Sequence, residues 1–263
     1  MVNLYQGDCL CYLSAVKSNS VNLVVTSPPY YNAMDYSHWN TYSDYLEWLE
    51  SVFTLVYDKI VPGYMCCVNI SVVIQPRSCR QDESQRLPIP FDFVGIMQKI
   101  GYKFLEDIIW VKPEGAAKNR NAGFYTHRQP IQYKPNVVNE YIFVFQKPSG
   151  KLIDTILSSY DDSVKKESLV VGDYERSNVW YINPDTNSEH PAPFPIELPN
   201  NIIRYYSFIG NTVMDIFMGS GTSGVSAVML DRNFIGMEIN EDYFKVAKQR
   251  IDRALDERDR KFW

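Results

Sequence analysis

A doubly wound α/β fold with a mostly parallel sheet is what this 263-residue sequence predicts. Short apolar runs alternate with longer stretches of helical periodicity, and two of those runs end in residues that force a sharp turn. The length suits one large domain, close to the ~250–300 residues at which single cores stop growing.

The first buried run is Val21–Thr26, bounded by polar residues on one side and prolines on the other. Further strand-like runs fall at 64–70, 104–111, 138–146, 212–217 and 233–239. Helical spacing is clear at 43–60, where Leu46, Leu49, Phe53, Val56 and Ile60 share a face. It recurs near 91–100, 196–208, 222–231 and 241–258. In such a fold ligands bind at the carboxyl ends of the strands. Three stretches break the rhythm: the polar 75–90, the basic 113–137 and the proline-rich 148–195. Long irregular connections in compact domains are usually functional or disordered, and the last two are read as functional.

Composition narrows the class. The chain is 45% hydrophobic and 22% charged, as in an ordinary globular protein. No apolar run approaches the ~18–20 residues of a membrane span, and the N-terminus lacks a leader pattern, so a cytoplasmic protein without membrane contact is expected. The five cysteines (Cys9, Cys11, Cys66, Cys67, Cys79) show no paired metal-ligand spacing, and reduced thiols without a metal are expected. The net charge of −5 argues against nonspecific coating of nucleic acid. It leaves room for one basic face. Between Lys112 and Lys134, the cations Lys112, Lys118, Arg120, Arg128 and Lys134, with His127 beside them, oppose only Glu114.

Two motifs carry the chemistry. Thr26-Ser27-Pro28-Pro29-Tyr30 ends the first strand in a rigid tip, because consecutive prolines fix φ and remove two backbone donors. The Ser27 hydroxyl, the Pro28 carbonyl and the Tyr30 ring suit a planar group with an edge NH₂ and a π-face, such as a nucleobase. The second motif, Asp215-Ile-Phe217-Met-Gly219-Ser-Gly221-Thr222-Ser-Gly224, runs from strand through a glycine turn into a helix. Gly219, Gly221 and Gly224 satisfy the dinucleotide pattern G-x-G-x-x-G, and Glu238 ends the next strand at the spacing that reads ribose hydroxyls. Nicotinamide dinucleotide, flavin nucleotide and S-adenosylmethionine all fit this loop. Asp215 favours the last, since a carboxylate sits poorly near a pyrophosphate and well beside a cationic ammonium.

Together the motifs resemble the DNA amino-methyltransferases that modify N4 of cytosine or N6 of adenine. Gly7-Asp8-Cys9-Leu10, Ile109-Trp110-Val111-Lys112-Pro113, Asn139-Glu140-Tyr141 and His190-Pro-Ala-Pro-Phe194-Pro195 add to the likeness. The order, catalytic tetrapeptide first and cofactor loop last, is similar to the family's β arrangement. The resemblance implies a single Rossmann-like methyltransferase domain over 1–263 with permuted motifs, requiring the chain ends to meet in one sheet. It also implies target-recognition segments at 113–137 and 148–189.

By that resemblance Ser27, Pro28, Pro29 and Tyr30 are catalytic. Asp215, Phe217, Gly219, Gly221, Thr222 and Glu238 line the S-adenosylmethionine site, with Asp8 on the adenine edge and Phe194 and Pro195 on the methionine side. Lys112, Lys118, Arg120, His127, Arg128 and Lys134 face double-stranded DNA. The implied protein is a monomer or homodimer, with a cognate restriction endonuclease as a possible partner. Serine at position 27 is similar to the cytosine-N4 enzymes, whereas aspartate is usual for adenine-N6; the two amines pose similar chemical demands. Adenine-N6 methylation is the first alternative. A nucleotide-dependent oxidoreductase would leave the Pro-Pro-Tyr tip unexplained, and a noncatalytic DNA-binding module would leave both motifs without use.

Overall fold

Neighbouring strands whose ends carry the two motifs lie at the middle of one sheet. The computed structural model describes residues 1–31, 39–75, 85–114, 130–131, 133, 135–184 and 195–260. The chain opens with β1 (Val2–Gln6), the one-turn helix α1 (Cys9–Tyr12) and β2 (Val21–Thr26). The long helix α2 (Tyr42–Lys59) leads straight into β3 (Ile60–Ile70). Two short antiparallel strands, β4 (Val73–Gln75) and β5 (Gln85–Leu87), precede α3 (Ile89–Ile100). Next come β6 (Lys103–Val111), β7 (Asn139–Gln146), the short helices α4 (Ile153–Leu157) and α5 (Asp162–Glu167), and β8 (Val179–Tyr181). The chain returns through α6 (Glu197–Tyr206), β9 (Thr212–Asp215), α7 (Thr222–Met229), β10 (Asn233–Glu238) and α8 (Glu241–Arg260).

The main sheet has the order β1-β10-β9-β2-β3-β7-β6-β8. Only β7 runs against its neighbours among these strands. Side chains of β2 divide between two cores, one on each face. Val21 and Val24 pack with Leu49, Phe53 and Phe93 of α2 and α3. Leu23 and Val25 pack with Ile203, Ala227 and Ile251 of α6, α7 and α8. Burial on both faces is why the strand's apolar run is nearly unbroken, and its pairing with β3 carries a register shift between Val21 and Leu23.

Local chemistry sets the element ends. The Thr41 side chain accepts from Asp44 N–H while the Asp44 carboxylate accepts from Thr41 N–H, a capping box that starts α2. At the other end, Lys147 Nζ donates to the carbonyls of Tyr57 and Ile60, each at 2.9 Å, where the helix leaves acceptors open. The two chain ends meet: β1 pairs in parallel with β10, and Gly7 N–H donates to the Glu238 carbonyl at 2.8 Å.

The strand and helix readings from sequence correspond to β2, β3, β6, β7, β9 and β10 and to α2, α3, α6, α7 and α8. Sequence periodicity does not mark β1 or β8, and the stretch read as irregular at 148–195 also holds α4 and α5. Strand β1 is half-exposed and β8 is only three residues long, so neither strand carries a strong periodic signal. Among the described residues no helix is long and apolar enough to cross a membrane.

Candidate active site

Strands β2 and β9 pair in parallel, Leu23 against Val213 and Val24 against Met214. Their carboxyl ends therefore lie side by side, although the motifs they carry are almost 190 residues apart. The contact is explicit: Thr26 Oγ1 donates to Asp215 Oδ1 at 2.7 Å.

Beyond Thr26 the chain leaves the sheet through Ser27-Pro28-Pro29-Tyr30. Pro28 is buried, while Ser27, Pro29 and Tyr30 are half-buried. Among the described residues Ser27 Oγ has no hydrogen-bond partner. The Tyr30 hydroxyl donates to Glu140 Oε2 at 2.8 Å, so the ring is held at both its backbone and its hydroxyl end.

The glycine loop is organised around two buried acids. Asp215, 2% exposed, accepts from Thr26, from Phe217 N–H at 3.1 Å and from Ser223 Oγ. Burial pushes its carboxyl up to about 6; the hydrogen bonds from Ser223, Thr26 and Phe217 work in the opposite direction. Glu238 accepts from Gly219 N–H at 2.7 Å and Asn240 N–H at 2.8 Å, and burial raises its pKa. Two carboxylates beside one loop give its mouth a negative potential, which suits a cation better than a pyrophosphate. Arg250 of α8 braces the loop from behind, donating to the Ser220 carbonyl at 2.7 Å and to Thr222 Oγ1 at 3.2 Å.

Gly221 has a φ of +82° and begins α7. A Cβ there would stand 2.9 Å from Cα of Ala247, so its smallness serves the packing of α8. Phe217 is half-buried, its ring centroid 5.6 Å from that of Trp48. Trp48 in turn contacts Trp39, and Trp39 stacks on Tyr31. A run of rings thus links the residue after the Ser27–Tyr30 tip to the glycine loop. Tyr42, Tyr45 and Trp48 recur every three residues within α2, and Trp39 extends that spacing just before the helix begins, a pattern the apolar periodicity of 43–60 does not mark.

The remaining sequence candidates divide. Asp8 is exposed at the end of β1, where Oδ1 accepts from Leu10 N–H at 2.9 Å and caps α1. It follows Gly7, whose N–H is bonded to Glu238, so it shares the rim of the glycine loop. Pro195 is buried at the entry to α6. Lys112 requires a correction. Read as a cation facing DNA, it instead turns inward, pairing with Glu140 Oε1 with its side chain 13% exposed. Its ammonium lies 3.9 Å from the centroid of the Trp110 ring. Phe194, Lys118, Arg120, His127, Arg128 and Lys134 lie outside the described residues.

Comparison with known proteins settles the kinship. The DNA methylase family of N6 and N4 methyltransferases matches residues 21–249. The chain belongs to this family. It is similar to the type II beta methyltransferase M.BslI of Bacillus sp. (strain NEB-606), 29% identical over 261 residues and 97% of this chain. This methylase spans only 28% of the M.BslI length. M.ScaI of Streptomyces caespitosus, a type II methyltransferase, is 28% identical over 95% of this chain and 81% of its own. The same architecture occurs in a candidate DNA modification methylase from Thermus thermophilus, solved in complex with S-adenosyl-L-methionine. Its TM-score is 0.77, with 26% identity, covering 97% of this methylase and 95% of that protein.

Proposed function

We propose that this chain transfers the methyl group of S-adenosylmethionine to the exocyclic N4 amine of cytosine in double-stranded DNA, with the base turned out of the helix. The observation that carries the reading is the Thr26–Asp215 hydrogen bond, which sets the Ser27–Tyr30 tip directly beside the glycine loop. The loop's residues fit the donor, because the buried carboxylates of Asp215 and Glu238 suit a ligand bearing a cationic sulfur and an ammonium. When bound, S-adenosylmethionine supplies an electrophilic methyl group.

The chain's own groups do the rest. An exocyclic amine is a poor nucleophile while its lone pair is delocalised into the ring. Ser27 Oγ and the Pro28 carbonyl accept its two N–H bonds, which favours a pyramidal nitrogen with a localised lone pair. Tyr30 stacks on the base, and the β2–β9 pairing holds the amine toward the loop. Positioning and fixed dipoles then supply most of the rate enhancement. Ser27, rather than an acid at that position, supports cytosine over adenine. The segments 113–137 and 148–189 are assigned to target recognition, on their irregular composition and on the basic charge of the first.

The test is incubation with labelled S-adenosylmethionine and mixed-sequence duplex DNA, followed by nucleoside analysis. N4-methylcytosine is expected. N6-methyladenine in its place reverses the base assignment, and absence of both refutes the reading.

Cofactor affinity should also depend on pH. Asp215 titrates near 6 in the folded chain against an ordinary 3.8. The native state therefore holds more protons between those values, and this group's contribution to stability falls as pH rises through that window. Cofactor binding runs the other way. A cationic ligand favours ionised Asp215, so affinity should weaken as pH drops through about 6, by at most about tenfold per pH unit. Calorimetric titration of the cofactor from about pH 5 to about pH 8 reads this. A flat profile would show that the charge on Asp215 does not act on the ligand.

A further inference from the structure

Behind the Ser27–Tyr30 tip, three strands contribute polar side chains to one knot. Glu140 of β7 accepts from the Tyr30 hydroxyl at 2.8 Å and pairs with Lys112 just beyond β6. Asn69 of β3 donates to the Tyr30 hydroxyl at 3.2 Å and also to Glu140 Oε2. Asn69 follows Val68, the sheet partner of Thr26, so the knot adjoins the tip through the sheet as well. The side chains of Glu140 and Lys112 are 5% and 13% exposed. Lys112 rests on Trp110, whose indole N–H is anchored on the Ile182 carbonyl at 2.8 Å.

A buried ion pair is a poor device for stability, since apolar residues of similar volume often do as well or better. Nor is this pair needed to join the strands. The β6–β7 ladder runs continuously past it, with Trp110 opposite Glu140 and Val111 opposite Asn139. Among the described residues, what the pair does hold, together with Asn69, is the hydroxyl at the far end of the Tyr30 ring. The prolines hold the near end.

We propose that Glu140, set by Lys112 and Asn69, is a positioning residue for Tyr30. It orients the ring so that a base stacked on it presents its amine to Ser27 and Pro28. The inference rests on the reading of the chain as a base-flipping amino-methyltransferase. It assigns Lys112, Glu140 and Asn69 to the alignment of the target base.

A double-mutant cycle on the full chain tests this, with Tyr30→Phe and Glu140→Gln. Three quantities are read: kcat at saturating DNA, cofactor affinity, and fluorescence of 2-aminopurine placed at the target position. Tyr30→Phe keeps the ring and loses only the hydroxyl. Each single variant should lower kcat by about 10- to 100-fold, as expected for a misplaced reacting group. Each should change the 2-aminopurine signal, which reports stacking of the flipped base. Cofactor affinity should stay within about twofold, and the double variant should be no worse than the worse single one.

Independent effects that multiply in the double variant overturn the proposal. So does a Tyr30→Phe enzyme with unchanged kcat and unchanged fluorescence, whatever Glu140→Gln does to folding. A wild-type protein that methylates no duplex DNA refutes the functional reading itself. An active wild type with a silent Tyr30→Phe variant refutes only the positioning role.

Discussion

Ser27→Ala is expected to lower methyl transfer by about 100-fold or more while leaving cofactor affinity unchanged. Three features separate the hydroxyl from the fold. Ser27 is half-buried, and among the described residues its Oγ is bonded to nothing else, so its loss leaves no buried group unpaired. The neighbouring Thr26 holds the end of β2 to Asp215, and Pro28 is buried, so the backbone keeps its course. The cofactor loop is built from Asp215, Glu238 and Arg250, none of which depends on Ser27. The loss should therefore fall on kcat in single-turnover measurements, with equilibrium binding of the cofactor as the control. A variant that turns over like the wild type would remove Ser27 from the mechanism. Thr26→Val makes the opposite comparison. It leaves Asp215 with one donor fewer in a buried setting, and should weaken cofactor binding along with turnover.

What could be read from the sequence was what constrains the backbone locally. Consecutive prolines after an apolar run, or glycines between a strand and a helix, announce a special turn whatever surrounds it. The Ser27–Tyr30 tip and the Asp215–Gly221 loop were legible for that reason. Their adjacency was legible only through the family resemblance, because it depends on β9 taking the place beside β2 in the sheet. Lys112 shows the limit most clearly. A charge count places it in a basic segment with Lys118 and Arg128. Strand alternation places it on the face of Trp110, against Glu140, which is 28 residues further along. Glu140 was visible only as part of Asn139-Glu140-Tyr141, since none of Tyr30, Asn69 and Lys112, which bond to it, is near it in sequence. The glycines were legible as a pattern, while their reasons differ. Gly221 and Gly224 both make room for protein: the backbone of α8 beside the first, and the side chains of Ile251 and Phe234 beside the second.

That distinction predicts a large loss of stability in Gly221→Ala. The φ of +82° already costs an L-residue about 1 kcal/mol or more. The added methyl would then stand 2.9 Å from both Cα and Cβ of Ala247 and 3.3 Å from its carbonyl oxygen. Ala247 is fully buried within α8, so the obstacle is helix backbone and cannot rotate aside as a side chain would. Overpacking of this kind adds about 1–3 kcal/mol, for a total near 3 kcal/mol and a fall in Tm of about 6–12 °C in a chain of this size. Because Gly221 is the N-cap of α7, the strain also falls on the loop that Arg250 and Glu238 hold, and cofactor affinity should drop with stability. Gly210→Ala isolates the packing contribution. Its φ of +78° imposes the same backbone cost, but nothing lies within 4 Å of the added methyl. Thermal unfolding of the two variants should therefore differ by the α8 contact alone. If Gly221→Ala is no less stable than Gly210→Ala, then α8 yields at Ala247, and the close approach of α8 does not set the shape of the glycine loop.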